Sequence, residues 1–158
     1  MRKESIIIIS FLILINLSVA FGSNEILLKS RSFVPERGIS ADTRAVIEAI
    51  PGRAHVLIQL EHIPTIAERK EFEAKGIKLL SYIPNKAWFA SIASDKAGQI
   101  AALANVRAIS EILPEDKISP HIIDGEFFEK RVKEGKLDLI VEFFKDVSVD
   151  THGQARGT

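Results

Sequence analysis

The chain has 158 residues, a length suited to one domain or slightly more. A hydrophobic fraction of 46% and a charged fraction of 27% are typical of a globular protein and exclude bulk disorder. Lys plus Arg and Asp plus Glu both number 21. This zero net charge disfavours nucleic-acid binding, which needs an excess of cations. With no cysteine, the chain has no disulfide, thiolate metal site or cysteine nucleophile.

Residues 1–22 have the three-part pattern of a secretory signal. Arg2 and Lys3 precede an apolar run at residues 6–15, and small residues near Ala20 and Gly22 offer two cleavage points. The alternative is an uncleaved N-terminal anchor, because the run is close to the shortest that spans a bilayer. Either way we expect a secreted or cell-envelope protein that meets the membrane only through this segment.

Residues 23–53 form a lead-in segment in this interpretation. Asp42 is predicted to cap a short helix that ends at Gly52. The predicted apolar face of that helix consists of Ala45, Val46, Ala49 and Ile50.

The sequence between residues 54 and 117 alternates strand and helix patterns. Alternating apolar residues predict four strands, and Thr65 with Glu68 forms a capping box for the first of two helices. That helix is predicted to end at Gly76, and the second begins at Ser94. The predicted strands are Ala54–Leu60, Ile77–Ile83, Lys86–Ile92 and Val106–Leu113.

This order predicts an α+β fold of the ferredoxin-like, split βαβ type. In the βαββαβ arrangement, a four-stranded antiparallel sheet carries both helices on one face. The other face is predicted to be uncovered while still carrying apolar side chains. A partner covering that face would supply burial that so small a domain lacks.

The stretch Ala54–Pro120 resembles the N-terminal pro-domain of secreted subtilisin-like serine proteases, in particular the fervidolysin type. The similar pieces include the strand His55–Leu60, the hairpin Tyr82–Trp88 and the segment Val106–Pro120. The lead-in Ser32–Ile39 is similar as well. The resemblance implies a ferredoxin-like domain that assists folding of a protease and inhibits it until removed.

Residues 118–158 are predicted to be a linker followed by a truncated second module. Glu126–Lys133 has a short helical pattern and Leu137–Phe144 a strand pattern. This would add a partial second αβ unit to the fold. An accessory strand of the first sheet is the alternative for Leu137–Phe144.

We expect no catalytic residue, metal or cofactor. The four histidines show no helical ligand spacing, and the nine glycines form no phosphate-binding loop. Asp150 and His152 superficially match two residues of a subtilisin-like active site, but no Gly-rich serine segment follows them. We interpret that match as coincidence.

The candidate protease-contacting residues are three aromatic residues of the predicted hairpin and the segment after the fourth strand: Tyr82, Trp88, Phe89, Lys117, Ile118, Ser119 and Pro120. Alternation places either Trp88 or Phe89 away from the helices, where an exposed ring suits an interface. The resemblance implies that Lys117–Pro120 enters a protease cleft like a substrate. We therefore expect a non-catalytic inhibitor and folding assistant of a subtilisin-like protease. The alternatives are a structural or adhesive envelope module, or a fragment of a longer protease.

Overall fold

The computed structural model describes residues 24–125, 132–133, 136–137, 139–149 and 155–157. The predicted export segment at residues 1–22 lies outside the described residues. A short antiparallel hairpin of β1 (Ile26–Leu27) and β2 (Ser32–Phe33) comes first, followed by helix α1 (Ala41–Glu48).

The central sheet has four antiparallel strands, β3 (Arg53–Leu60), β4 (Ile77–Ile83), β5 (Ala87–Ala93) and β6 (Val106–Glu111). Their spatial order is β4-β5-β3-β6, with β3 and β5 in the centre. This is the order that two right-handed crossovers give in a βαββαβ unit. The predicted ferredoxin-like fold is therefore confirmed, with strand bounds within two residues of those predicted.

Helix α2 (Ile66–Ala74) connects β3 to β4, and its N-terminus has the predicted capping box. The Thr65 hydroxyl accepts from the backbone N–H of Glu68, and the Glu68 carboxylate accepts from the backbone N–H of Thr65. Gly76 has a φ of 87° and follows the helix end, as predicted. A Cβ at this position would lie 3.1 Å from Cβ of Ala93, so close approach also favours glycine here.

The connection from β5 to β6 is shorter and less regular than α2. A 3₁₀ turn at Ser94–Lys96 leads into helix α3 (Ala97–Ala101). This helix is short and ends at Ala101, although the 3₁₀ turn begins at Ser94, where the second helix was predicted to start. Ala97 and Ile100 are the residues of α3 that are buried against the sheet.

Three helices, not two, cover the first face of the sheet. The two predicted helices pack there through Phe72 of α2 and Ile100 of α3, and Ile47 of α1 joins the same core. The predicted details of α1 are wrong. Ser40, rather than Asp42, caps the helix, and Val46 and Ile50 are exposed while Ile47 is buried.

Beyond β6 the chain forms a 3₁₀ turn at Pro114–Lys117 and a short helix α4 (Pro120–Ile123). Short strands follow as β7 (Val132–Lys133), β8 (Lys136–Leu137), β9 (Val147–Val149) and β10 (Ala155–Gly157). β7 pairs with β8 and β9 with β10. The predicted helix at Glu126–Lys133 lies mostly outside the described residues, but its last two residues form a strand.

The predicted strand at Leu137–Phe144 is wrong over residues 139–144, which lie in no helix or strand. Side chains at Leu139, Ile140 and Val141 are 58%, 82% and 72% exposed, so this apolar run lacks the packing that a strand would need. It is not an accessory strand of the four-stranded sheet either. The β-propensity of these residues is not enough to form a strand where no neighbouring strand pairs with them.

Candidate functional site

The second face of the sheet is covered by the chain itself, and the prediction of an uncovered face is wrong. The β1–β2 hairpin lies over one part of it and buries Ile26 against the sheet residues Leu57, Ile83 and Ala87. Leu28 and Phe33 pack against the same cluster. The strands do carry apolar side chains on this second face, as expected. Residues 24–33 of the same chain bury many of them, so no partner is needed for that burial.

Polar contacts fix the hairpin to the sheet. Gln59 is fully buried on this second face, and its Nε2 donates to the backbone carbonyls of Asn24 and Asn85. Nδ2 of Asn85 in turn donates to the carbonyl of Glu25 at 2.8 Å. Buried amides need such partners, so removing the hairpin would leave Gln59 with unmade hydrogen bonds.

A buried carboxylate fixes the chain where it leaves the sheet. The Asp116 side chain is completely buried, and Arg31 of the hairpin donates to both its oxygens at 2.9 Å. The Ser30 hydroxyl and the backbone N–H of Leu113 donate to the same carboxylate. The Arg31 guanidinium also lies 4.1 Å from the centre of the Phe33 ring. We call this set, Ser30, Arg31, Leu113 and Asp116, the exit clamp.

The charges of the clamp support each other. Burial alone would raise the pKa of Asp116, but the hydrogen bonds from Arg31, Ser30 and Leu113 together outweigh it and lower that pKa. The hydrogen bond to Asp116 likewise raises the pKa of Arg31 against the opposing effect of burial. Both groups are therefore charged at neutral pH, as a bidentate pair requires.

The predicted contact segment Lys117–Pro120 follows the clamp directly. Lys117 ends the 3₁₀ turn, Ile118 and Ser119 have extended backbones, and Pro120 begins α4. The side chains of Lys117, Ile118 and Ser119 are exposed, while Pro120 is half-buried. An exposed, extended pair of residues thus follows a turn whose Asp116 side chain is buried and hydrogen-bonded.

The three predicted aromatic residues are divided between the two faces. Trp88 is 2% exposed in the core under the helices, whereas Phe89 is half-buried on the second face. Tyr82 is 55% exposed and meets the Trp88 ring edge-on at 5.1 Å. An irregular register between Leu79 and Ser81 places Tyr82 opposite Trp88. The structure therefore brings Tyr82 and Trp88 together, and places Phe89 with a different group of residues.

That other group is a polar and aromatic cluster that the sequence prediction missed. Nε2 of His55 on β3 lies 2.8 Å from Oδ1 of Asp146, and the Phe144 ring stacks on the His55 ring at 4.2 Å. Phe144 also contacts Phe89 at 5.8 Å between ring centres. Burial would raise the pKa of Asp146, but hydrogen bonds from His55 and Ser91 lower it. Nothing in the spacing of the sequence links Asp146 to His55.

Ser91, His55 and Asp146 are the residue types of a catalytic triad, but their arrangement differs. In a triad, histidine stands between serine and the carboxylate. Here Asp146 stands between His55 and Ser91, because it accepts hydrogen bonds from both. Ser91 is fully buried and its Oγ accepts from Nε of Arg53. The histidine therefore does not stand next to the serine as it does in a triad, and the buried Ser91 is not accessible to a substrate. His55 and Ser91 instead anchor Asp146.

Among the described residues, no group of three or more histidine, aspartate or glutamate side chains is arranged to hold a metal ion. Within the same residues, no helix has the length and apolar character needed to cross a membrane.

Comparison with known proteins gives a match to a protein family. A family model described as "Domain of unknown function (DUF8729)" matches residues 27–113. No curated protein matches significantly, and no solved structure does so. The matched residues begin in the β1–β2 hairpin and end just after β6, so they include the whole four-stranded sheet and its three helices. Because the match covers more than half of the chain, the protein belongs to the DUF8729 family.

Proposed function

We propose that this protein is a non-catalytic module that binds a subtilisin-like serine protease, inhibits it and assists its folding. The observation that carries the proposal is the exit clamp, in which the buried Asp116 fixes the chain immediately before the exposed, extended Ile118 and Ser119. The ferredoxin-like fold agrees with what the resemblance to protease pro-domains implies. The family assignment itself carries no function.

Protease clefts bind peptides in extended form, through main-chain hydrogen bonds to an enzyme strand. A segment that is already extended at Ile118 and Ser119 loses less conformational freedom on binding than a free peptide. The clamp would also keep the segment attached to a folded body, which favours occupation of the cleft over passage through it. Lys117–Pro120 is therefore the part that we assign to the protease cleft.

An apolar patch beside this segment would add binding energy. Ile118, Ile122 and Ile123 are 45%, 39% and 57% exposed within six residues of chain. Exposed apolar groups this close together suit the centre of an interface. This patch, rather than an uncovered sheet face, would provide apolar contact with the protease.

The test is an inhibition assay with the full chain and a subtilisin-like protease acting on a peptide substrate. We expect hydrolysis to slow at micromolar excess of the chain. Ile118→Asp should raise the inhibition constant at least tenfold, because a charge would be buried in the complex. The control Ile66→Asp changes an isoleucine at the start of α2 that is even more exposed, at 78%, and should leave inhibition within about twofold of the original.

Unchanged hydrolysis in the presence of the chain would contradict the proposal. The exposed run at Leu139, Ile140 and Val141 favours the alternative, a structural module that joins a larger assembly. That alternative predicts self-association of the full chain in sedimentation, reduced by Ile140→Asp, with no effect on the protease.

A further inference from the structure

Within the described part of the chain, two different pieces cover the second face of the sheet. The β1–β2 hairpin covers Leu57, Ile83 and Ala87 and is fixed by the Gln59 amide and by the exit clamp. Residues Phe144–Asp146, which we call the strap, cover the part around His55 and Phe89. The two covers differ in how they are held.

The strap is held at its two ends. Phe144 lies between His55, on which it stacks with an interplanar angle of 13°, and Phe89. Asp146 is 5% exposed and accepts hydrogen bonds from His55 and Ser91. Lys145 between them is exposed. His55 joins both ends, because it contacts the Phe144 ring and the Asp146 carboxylate.

The chain before the strap adds little to its attachment. Residues 139–143 lie in no helix or strand, and Leu139, Ile140 and Val141 are mostly exposed. Segments with few buried contacts open at low free-energy cost. The strap can therefore separate from the sheet without disturbing the core under the helices, where Trp88 and Ile58 lie.

We propose that the strap is a releasable cover, closed by the charged Asp146 carboxylate and opened by acid, and that its release exposes His55 and Phe89 for a protein partner. In taking that partner to be the protease, the inference rests on the proposed function. The uncovered patch would then extend the contact made by Lys117–Pro120. At neutral pH the strap occupies the patch, so the chain competes with its own partner for this part of the sheet.

The groups that face the Asp146 carboxylate determine how closure of the strap depends on pH. His55 donates from β3 and Ser91 from β5, while Arg53 on β3 donates to the Ser91 hydroxyl and carbonyl. Because the pKa of Asp146 is lowered in the closed state, its stabilising effect is complete above the ordinary aspartate range. It is lost as the pH falls through the lower, folded-state pKa. Protonation removes the charge that His55 and Ser91 stabilise.

The strap can be observed directly by nuclear magnetic resonance on the full chain. At neutral pH we expect nuclear Overhauser cross-peaks between the rings of His55 and Phe144, because their centres are 4.2 Å apart. These cross-peaks should disappear in Asp146→Ala and, in the unchanged protein, once the pH has fallen well below the ordinary aspartate range. Cross-peaks of Trp88 with the core should persist in both cases, which distinguishes strap release from unfolding.

Glu68→Ala is the matched control. It removes the carboxylate of another histidine pair, His62 and Glu68 at 2.7 Å, which lies at the start of α2. This variant should keep the cross-peaks between His55 and Phe144. Cross-peaks that persist in Asp146→Ala, or that are absent from the unchanged protein at neutral pH, would overturn the inference.

A binding experiment separates this inference from the proposed function. If both hold, Asp146→Ala should inhibit the protease several-fold more strongly than the unchanged chain, because the patch is then free. The strap could open as expected in a chain that has no effect on the protease. That result would contradict the proposed function but would still support a releasable strap. Equal inhibition by the two chains, with the strap open in the variant, would overturn the proposed competition between strap and partner.

Discussion

Nε2 of His55 and Oδ1 of Asp146 lie 2.8 Å apart although 91 positions separate them in the chain. The contact joins the residues after the sheet, which the sequence analysis assigned to a truncated second module, to the face of the sheet itself. Asp146 is buried by this contact, and the Phe144 ring lies over His55. The segment after the sheet is thus part of what covers the module.

We expect removal of the Arg31 side chain to destabilise the protein more than the loss of an ordinary surface side chain would. Arg31→Ala leaves the completely buried Asp116 carboxylate without its two charged hydrogen bonds. We expect a loss of about 2 kcal/mol in the free energy of unfolding, measured by urea denaturation.

Arg44→Ala is the control for this measurement. Arg44 pairs with Glu48 four residues later on α1, and the two side chains are 54% and 34% exposed, so this pair lies at the surface. Such a pair contributes about 0.3–0.5 kcal/mol. Equal losses in the two variants would contradict the structural role of the exit clamp.

Truncation of Leu57 tests burial of the second sheet face. Leu57 is fully buried under the β1–β2 hairpin, so Leu57→Ala should cost about 2–5 kcal/mol in unfolding free energy. Leu27→Ala, at a 41% exposed position of the hairpin, should cost less than about 1 kcal/mol. If Leu57→Ala were as mild as Leu27→Ala, the hairpin would not cover the sheet in solution.

The capping box of α2 should be measurable on its own. Thr65→Ala removes the hydroxyl that accepts from Glu68 N–H, and we expect a loss of about 1 kcal/mol by thermal or urea unfolding. Ser119 precedes α4 but makes no side-chain capping hydrogen bond, so Ser119→Ala should change stability little. A loss in Ser119→Ala that matches the Thr65→Ala loss would contradict this explanation.

Acid should destabilise the fold through identifiable carboxylates. Hydrogen bonds lower the pKa of Asp116 and of Asp146, and the Thr65 backbone, His62 and the Thr65 hydroxyl lower the pKa of Glu68 to about 2. A lowered folded-state pKa stabilises the protein above the unfolded-state pKa and ceases to do so as the pH falls through the folded-state value. The free energy of unfolding should therefore decrease between about pH 5 and pH 2.

Asp116→Asn identifies the clamp's share of that decrease. The variant should be less stable at neutral pH and should lose less stability on acidification, because it lacks one of the carboxylates whose pKa is lowered by folding. Asp124→Asn, at an exposed position after α4, should retain the full decrease. The same pH dependence in both variants would show that Asp116 is not one of the responsible groups.

The sequence was sufficient to predict the sheet but not its covers. Alternating apolar residues in Arg53–Leu60, the Thr65 and Glu68 capping box, and Gly76 are local signals, and each specifies its own element. The hairpin β1–β2 has only two residues in each strand, too short for alternation to be detected. Its attachment depends on Gln59, which by its residue type alone would be expected on the surface.

The assignment of Lys117–Pro120 to a protease cleft comes from resemblance and stays a prediction. The structure places three of its four side chains in an exposed position. The clamp beneath it joins residues 85 positions apart, Arg31 and Asp116, and no local pattern reveals such a pair. The same is true of His55 and Asp146, whose relationship depends on the path of the chain after β6. Trp88 and Phe89 could not be assigned to faces by alternation alone, because both faces are buried.

Hydrogen–deuterium exchange of the full chain, mixed with a subtilisin-like protease inactivated by replacement of its nucleophilic serine, tests the central claim most directly. We predict that exchange at residues 117–123 slows markedly at saturating protease, while exchange in α1 stays unchanged. Unaltered exchange at residues 117–123 under those conditions would contradict the assignment of this segment to the protease cleft.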